Sequence, residues 1–456
     1  MTTEGKVPPR PEGLQRKPAA DIALAASCAG MAGYIMFHSI PGTGAVRSLF
    51  LLLMLAGVAG HTWAARPALK WPPFDMVGKT LLLLTAWLAF QSAFLAVDGP
   101  ETLKTFAVEW PKNLLLAAIG VLLARAAMFA QKGDWVFIAV FCGYFVHVLG
   151  TLGYQAWYLL TLGKIDFNMS LLGNYGYVSP YLDGVFAFAF ADMASRACLT
   201  RPLLPLSTRY LGLVFLLSTL TLLALSAKAS LVMVLLMLGL FAVTTAIHRR
   251  SHRKQIIAIT LAAAVGLSTL GGFIHGRWDG AVESVRYGVA IDKNKNWMLT
   301  ENEVADESSR LPQHINQSFY ARAAWGTVGL RGLLEHPLGR GYGSNAFGRY
   351  LAEKYDIQGA VSSHSGWLDF ALANGIPGLV LLLAVSVALC VQGWKAFVGQ
   401  AGVGGLALAF LTVSYISRCM FDGLMSTSKL MAFFLVSGVL WGLSRDADPR
   451  RESHSA

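Results

Sequence analysis

The sequence is poor in charged residues. Asp, Glu, Lys and Arg make up 14% of its 456 residues, whereas a soluble domain carries about 25%. Apolar residues make up 55% of the chain, and many of them form runs close to the ~20 residues that cross a hydrocarbon core. This balance argues against an ordinary soluble protein and predicts a polytopic membrane protein.

The alternating pattern of a membrane β-barrel is also missing. Barrel strands are ~10-residue blocks with period-two alternation, but the apolar runs here are continuous. A continuous span must satisfy its own backbone hydrogen bonds, so we interpret the runs as helices. The predicted fold class is all-α, with about twelve transmembrane helices. The predicted spans lie near 20–40, 45–64, 76–97, 112–130, 135–162, 180–199, 209–226, 229–247, 255–274, 375–394, 402–420 and 428–444.

Cysteine is scarce and absent from the longest polar segment. Only five cysteines occur, all in or beside apolar runs, and none lies within 275–365. A disulfide framework is therefore not expected, even in an oxidising compartment.

Positive charge is distributed unevenly along the chain. The formal net charge is +11, and Arg249, Arg250, Arg253 and Lys254 cluster between two predicted spans, whereas segment 275–365 holds 10 basic and 10 acidic residues. Cytoplasmic loops are rich in Lys and Arg, and they attract anionic membrane lipid. The charge therefore indicates topology rather than nucleic-acid binding. It predicts that both termini are cytoplasmic and that 275–365 lies outside.

The predicted organisation has five parts. Polar cytoplasmic tails occupy 1–19 and 446–456 and are expected to be disordered. Spans 1–9 occupy 20–274, and a large, partly helical periplasmic loop with the catalytic motifs follows at 275–365. An interfacial helix and spans 10–12 fill 366–445.

The large loop is predicted to contain one long helix and a glycine-rich turn. Apolar residues recur on one face from Ile315 to Glu335. The helix is expected to stop near His336, because Pro337 disfavours helical geometry in the residue before it. The turn Leu338–Ser344 follows.

A second helical element is predicted where the loop returns to the membrane. Ser365 to Ala373 is expected to form a short helix at the membrane surface. The next span restarts at Asn374 to Pro377, with the proline in its tolerated first turn. His364 then lies at the junction, facing a water-accessible pocket.

Three motifs in this order resemble a known family. They are Arg322-Ala-Ala-Trp325 with Glu335-His-Pro-Leu-Gly-Arg-Gly-Tyr-Gly343, then His364-Ser-Gly-Trp-Leu-Asp-Phe-Ala-Leu-Ala-Asn-Gly-Ile-Pro-Gly378, and Leu225-Ser-Ala-Lys-Ala-Ser-Leu231 at a span start. Together they resemble the O-antigen ligase and O-antigen polymerase superfamily of bacterial envelope glycosyltransferases. Lys228 stands where the family usually has arginine, so a bidentate phosphate clamp is not expected there.

The resemblance implies a fold like that of the GT-C glycosyltransferases and a reaction at the periplasmic face of the inner membrane. An O-antigen polysaccharide on undecaprenyl diphosphate is passed to a sugar hydroxyl of lipid A–core, with inversion and without a metal or cofactor. The implied partners are these two substrates and membrane lipid. An O-antigen polymerase or a protein O-oligosaccharyltransferase is the nearest alternative.

Two cations and one histidine are the leading site residues. Arg322 offers paired donors that match phosphate oxygens, and Lys228 adds a charge at headgroup level. His364 is the expected general base, since an imidazole titrates near ~6.5 and accepts a proton at envelope pH. The structural alternatives are a solvated Arg322, a snorkelling Lys228 and a helix-capping His364.

Further substrate-binding candidates are weaker. Arg340 and Arg349 carry charge near the turn, and Asp422 either binds substrate or pairs with Arg418 one turn earlier. Glycine lets backbone approach an anion closely, which makes amide donors of Gly339, Gly341 and Gly343. A plain loop is the alternative reading of that turn.

Three other functions are less well supported. Residues 292–303 match the spacing of a calcium-binding loop, but Trp297 stands where that motif needs glycine. Asp446 and Asp448 form the only Asp-x-Asp pattern, and they lie in the predicted cytoplasmic tail, on the wrong side of the membrane for this reaction. An anion transporter would place its ionisable residues mid-span, and neither a fixed-period repeat nor an inverted pair of broken helices is visible. A structural scaffold gives no reason for these residues to occur together.

Overall fold

The computed structural model describes most of the chain as helix. It describes residues 18–65, 75–165, 169–170, 173–225, 227–275, 280–298, 311–312, 314–343, 345–359, 362–399, 403–423, 425 and 427–445. The sequence features at 299–303 and 446–448 lie outside these residues.

Helices lie at all twelve predicted positions. They are α1 Pro18–Phe37, α2 Gly44–Ala65, α3 Met76–Phe94, α4 Gly99–Phe129, α5 Gly133–Leu162, α6 Ser179–Leu199, α7 Thr208–Ala224, α8 Lys228–His248, α9 Arg253–His275, α13 Gly366–Val398, α14 Val403–Arg418 and α15 Thr427–Arg445. Within the described residues, 7 of these helices are long and apolar enough to cross a membrane: α1 to α5, α8 and α13. The protein is therefore a multi-pass, helical membrane protein, and the full count of twelve spans stays a prediction.

Smaller elements connect these helices. The loop carries α10 Ala281–Val289, α11 Gln317–Glu335 and α12 Ala346–Tyr355. Between α5 and α6, the two-residue strands β1 Met169–Ser170 and β2 Gly173–Asn174 pair antiparallel.

Helix α4 begins earlier than predicted. It starts at Gly99 rather than near 112, with Pro100 in its first turn, where proline is tolerated. Hydropathy missed this part because Glu101, Lys104 and Glu109 interrupt the apolar run. Those charges do not prevent helix formation, since tertiary packing decides helical stability.

Small residues let the membrane helices pack closely. A Cβ atom on Gly120 of α4 would lie 2.4 Å from the carbonyl oxygen of Leu435 on α15, and one on Gly438 would lie 2.3 Å from the carbonyl oxygen of Ala117. Helices in lipid associate mainly through such close van der Waals packing. The α4–α15 pair therefore anchors the main core, and Trp110 of α4 is completely buried within it.

The loop has a hydrophobic core of its own. Trp297, Tyr320 and Phe347 are buried in a cluster that also includes Leu372 and Ala373 of α13. The loop is therefore packed onto the first part of α13.

Contacts divide the helix termini between two ends of the bundle. At the end that carries the loop, which we call the loop end, Arg418 at the close of α14 bonds to Ser179 at the start of α6 and Ser230 at the start of α8. At the opposite end, Arg445 of α15 contacts Asp75 before α3 at 3.1 Å.

The predicted break between the surface helix and the next span is present. Helix α13 is two helices joined at Gly375, whose φ of 77° and ψ of 171° are not helical. The glycine-rich turn packs against this kink, because a Cβ atom on Gly339 would lie 2.4 Å from the amide nitrogen of Gly375. Helix α11 also ends as predicted, at His336 before Pro337.

This packing predicts that Gly339→Ala destabilises the fold more than a positive φ alone would. A left-handed alanine costs about 1–2 kcal/mol, and forcing a methyl group into close-packed backbone adds about 1–3 kcal/mol. Gly359→Ala is the matched control, because Gly359 has φ +86° against +87° but nothing within 4 Å of its Cβ position. Thermal unfolding in detergent should show the larger loss for Gly339→Ala. Equal losses would contradict the close approach.

Candidate active site

His364 lies at the loop end, two residues before α13. It is half-buried and has a φ of 58°, a left-handed conformation that is uncommon outside glycine and is often found at functional sites. Its amide nitrogen donates to Ser362 Oγ at 3.1 Å. The local backbone is therefore held in an unusual conformation that aims this side chain.

Asp369, in the first turn of α13, orders the residues that precede the helix. Its carboxylate accepts hydrogen bonds from Ser362 Oγ at 2.7 Å and from the amide of Ser363 at 2.8 Å. Since Ser362 Oγ also accepts from the His364 amide, Asp369 acts on His364 through Ser362. Asp369 is therefore a positioning residue, and the sequence analysis did not identify it.

The His364 imidazole stacks on Trp325 of α11. The ring centroids are 5.0 Å apart and the rings are within 4° of parallel. This contact fixes the plane of the imidazole and brings α11 to the α13 junction.

Helix α11 carries Arg322 between two contacts of the site. Phe319, Arg322 and Trp325 are three residues apart, a spacing that places neighbours on the same side of a helix. The Lys228 Nζ atom lies 4.4 Å from the centre of the Phe319 ring, while Trp325 stacks on His364. At 1.5 Å per residue, the two contacts are about 9 Å apart along the helix axis.

Lys228, Arg322 and His364 are thus brought to one region. Arg322 is half-buried and donates to Ser318 Oγ one turn earlier. Lys228 is the first residue of α8, so the partial positive charge of a helix N-terminus adds to its own. The arrangement can attract a multiply charged anion beside an imidazole.

Arg340 is not part of this region. Only 5% of it is exposed, and its guanidinium donates to His336 Nε2 at 2.9 Å and pairs with Glu353. Burial, and then the charge of Arg340, lower the pKa of His336, so that imidazole stays neutral and accepts. The predicted phosphate-binding role of Arg340 therefore gains no support, because its donors serve a buried network.

Two of the three candidate glycine amides in the turn are used within the protein. Gly339 donates to the carbonyl of His336 and Gly341 to that of Ala373, both at 2.9 Å. These two positions have φ values of +87° and +128°. Glycine permits close packing on the α13 kink at Gly339 and on Thr102 of α4 at Gly341, rather than approach to an anion.

Arg349 and Gly343 lie together on the side of this turn that faces α4. A Cβ atom on Gly343 would lie 3.7 Å from Arg349 Nη2 and 3.7 Å from Thr105 Cγ2. The Arg349 guanidinium also donates to the carbonyl of Gly341 at 3.5 Å. Their substrate-binding roles stay predictions, since the contacts above link neither residue to His364.

Asp422 pairs with Arg418, as the sequence analysis allowed. The Asp422 carboxylate accepts from Arg418 at 3.1 Å, and its carbonyl accepts from the amide of Gly366, two residues after His364, at 3.1 Å. Burial raises the pKa of the Asp422 carboxyl, but the nearby charges of Arg418 and Lys429 outweigh burial, so the net pKa is lowered. The side chain is therefore a carboxylate throughout the neutral range.

A second carboxylate completes this buried network. Arg418 donates to Asp183 Oδ2 at 2.7 Å, to Ser179 Oγ at 2.7 Å and to Ser230 Oγ at 2.9 Å. The sequence analysis missed Asp183, although a charged residue near the start of an apolar span was a signal for a functional or paired group. The network ties the starts of α6 and α8 to the end of α14.

The calcium-like segment is only partly described. Asp292, its first residue, forms a two-bond ion pair with Arg331, at 3.0 and 2.9 Å, so this carboxylate is occupied by a cationic side chain. Across the described residues, no group of three or more His, Cys, Asp or Glu is arranged to hold a metal.

The comparison with family models gives one match in this region. Residues 213–383 match the family described as O-antigen ligase. The match starts in α7 and ends in α13, so it contains Lys228, Arg322 and His364 with all three motifs. No curated protein matches the chain.

The buried network predicts a large effect of Asp183→Ala on stability. The variant leaves a guanidinium with 4% side-chain exposure short of one partner, and breaking such a pair costs about 3–5 kcal/mol. Asp292→Ala is the control, since it also removes an Arg–Asp pair, but at the surface, where such pairs contribute little. Thermal unfolding in detergent should separate the two variants clearly. Similar unfolding temperatures would show that Arg418 does not depend on Asp183.

Proposed function

We propose that this chain, whose residues 213–383 match the O-antigen ligase family, transfers O-antigen polysaccharide from undecaprenyl diphosphate to a sugar hydroxyl of lipid A–core. One observation carries the proposal: α11 places Arg322 between a contact to Lys228 and the stacked His364. That arrangement supplies positive charge for a departing diphosphate and a base for an incoming hydroxyl.

The proposed topology has twelve spans in the bacterial inner membrane, with both termini in the cytoplasm and the loop end in the periplasm. The cationic connection between α8 and α9, with Arg249, Arg250, Arg253 and Lys254, lies at the end opposite the loop. Short cytoplasmic connections carry such an excess of positive charge.

The cations act on the leaving group. As the bond between the anomeric carbon and the diphosphate oxygen breaks, negative charge grows on that oxygen. Arg322 presents paired N–H donors to phosphate oxygens, and Lys228 adds a point charge at the α8 N-terminus. Donors fixed in place before the reaction stabilise this charge without reorganising.

His364 acts on the acceptor. Its imidazole takes the hydroxyl proton while the hydroxyl oxygen forms the new bond to the anomeric carbon. Attack from the face opposite the leaving diphosphate inverts that carbon in one displacement. The carboxylate of Asp422, which interacts electrostatically with His364, stabilises the imidazolium that results.

We expect His364→Ala to lower the transfer rate about 10²–10⁴-fold, the usual contribution of a general base. Purified protein would be mixed with undecaprenyl-diphosphate-linked O-antigen and lipid A–core, with and without EDTA, and ligated product quantified on gels. His314→Ala is the control, because His314 is an exposed histidine of the same loop, with 58% side-chain exposure.

The same assay has clear contrary outcomes. Equal rates for His364→Ala and His314→Ala would refute the base assignment, and activity restored only by added Mg²⁺ would refute a metal-free reaction. Product with a second repeat unit or a protein, but not with lipid A–core, would assign the enzyme to the polymerase or protein O-oligosaccharyltransferase branch. Trp325→Phe should retain activity and Trp325→Ala should lose it, because only phenylalanine keeps a ring under the imidazole.

The pH dependence of transfer should identify the group that titrates. The pKa of the Asp422 carboxyl is lowered from 3.8, so Asp422 stays ionised from pH 5 to 8. A general-base imidazole, with an ordinary pKa near ~6.5, should therefore give an acid limb in the pH–rate profile in this range. Asp422→Asn removes a negative charge that favours imidazolium, so the limb should move to lower pH. Asp356→Asn, at an exposed aspartate of the loop, should leave the limb in place. A limb that stays fixed or rises in Asp422→Asn would contradict the pairing.

A further inference from the structure

A groove lies between α8 and α9 at the end opposite the candidate active site. It has a volume of about 510 Å³, and its walls include Val243, Ala246 and Ile247 from the end of α8 and Ile257 from α9. Val243 is 57% exposed and Ile247 53%. In a multi-pass membrane protein, an open apolar groove between two membrane helices faces lipid chains.

Two arginines complete the groove at its polar end. Arg250 and Arg253 line it together with the aliphatic walls and are both exposed. They lie where α8 gives way to α9, at the level where an apolar helix meets water. An arginine guanidinium offers paired donors that match phosphate oxygens.

The sequence on both sides of these arginines lacks acidic residues. The sequence contains no Asp or Glu from Met193 to Trp278, a stretch that covers the end of α6, all of α7 and α8 and α9. Arg249 next to them donates to the carbonyl of Ala197 at 2.8 Å, which ties α8 to α6. In the described part of the chain, no carboxylate forms an ion pair with Arg250 or Arg253, so their charge is available to an external anion.

We propose that this groove binds one anionic phospholipid, with an acyl chain against Val243, Ala246 and Ile247 and the phosphate between Arg250 and Arg253. Charge complementarity and the joining of an apolar wall to a cationic rim favour this occupant over a zwitterionic lipid, whose headgroup brings its own cation. Basic pockets between membrane helices on the cytoplasmic side are a recognised kind of lipid headgroup site.

A lipid bound in the groove would also affect the position of Lys228 at the other end of α8. Helix α8 has 21 residues, so it is about 31 Å long, close to the ~30 Å hydrocarbon thickness. A lipid held at its Arg250 end fixes the depth of the helix in the membrane. Lys228 at its other end is then held at the opposite headgroup layer.

Lipid binding to the full-length protein tests the proposal without any measurement of transfer. Native mass spectrometry of detergent-purified protein would compare binding of palmitoyl-oleoyl phosphatidylglycerol, palmitoyl-oleoyl phosphatidylcholine and soluble glycerol phosphate. We expect phosphatidylglycerol to bind, phosphatidylcholine to bind much more weakly, and glycerol phosphate to leave the protein without bound ligand. Equal binding of the two lipids would overturn the charge argument, and retention of glycerol phosphate would show a free-anion site instead.

Matched variants locate the site. Arg250→Gln with Arg253→Gln should weaken phosphatidylglycerol binding about 25-fold, since each surface cation contributes roughly a factor of five. Arg201→Gln with Arg209→Gln is the control, because it removes the same charge from two exposed arginines at the same end of the bundle but outside the groove. Equal losses in the two double variants would overturn the proposal.

A third variant tests the apolar wall and guards against loss of folding. Val243→Trp fills the groove from an exposed position and leaves every arginine in place, so it should also weaken phosphatidylglycerol binding. If the double arginine variant does not fold, this variant carries the test. Unchanged binding in a folded Val243→Trp protein would show that no acyl chain lies in the groove.

Discussion

The candidate site depends on the buried guanidinium of Arg418. With 3% of the residue exposed, it bonds to groups on α6 and α8 and to Asp422 after α14. Separating these helix ends would leave a charge uncompensated in a low-dielectric interior, which is far more costly than losing a surface pair. Lys228 lies two residues before the bonded Ser230, and His364 lies two residues before Gly366, which bonds to Asp422. One cation therefore fixes the two halves of the site that α11 bridges.

The bridge itself belongs to the loop rather than to the membrane bundle. Helix α11 buries Tyr320, Ala324 and Val328 in the loop core, which extends to Leu372 and Ala373 of α13. Phe319 and Trp325 of the same helix contact Lys228 and His364, and Arg322 lies between these two positions in the sequence. The kink at Gly375 allows this: the first part of α13 packs with the loop, and the part after the kink continues as a membrane span. The site thus forms where two hydrophobic cores meet.

Local patterns in the sequence predicted much of this architecture. Apolar runs located twelve helices, of which 7 are candidate membrane spans in the described residues. Pro337 located the end of α11, and the Asn374–Pro377 segment located the kink. The start of α4 was missed because hydropathy reports lipid-facing character and not helix formation. The roles of the arginines were harder to assign, since burial and pairing depend on distant residues. Asp183 and Arg418 are 235 residues apart, and no periodicity or motif spacing relates them. Arg340 has a glycine-rich context that suggests phosphate binding, yet Glu353 and His336 occupy its donors.

The position of Lys228 along α8 gives the proposed reaction a geometric basis. Because the helix is about as long as the hydrocarbon layer is thick, a span formed by this helix would place its first residue at the level of the lipid headgroups. The diphosphate of a polyprenyl-linked donor is held at the same level by its own chain, and a lipid-anchored acceptor is confined to the same surface. In the proposed reaction, both substrates would therefore meet the site with their height already fixed, so binding would mainly have to determine their orientation within the plane. Fixing reactants in this way removes a large part of the entropic barrier to a two-substrate reaction. In a soluble enzyme, a deep cleft aligns the substrates. Here the membrane would supply that alignment, so side chains at one end of a helix bundle would be enough to form the proposed site.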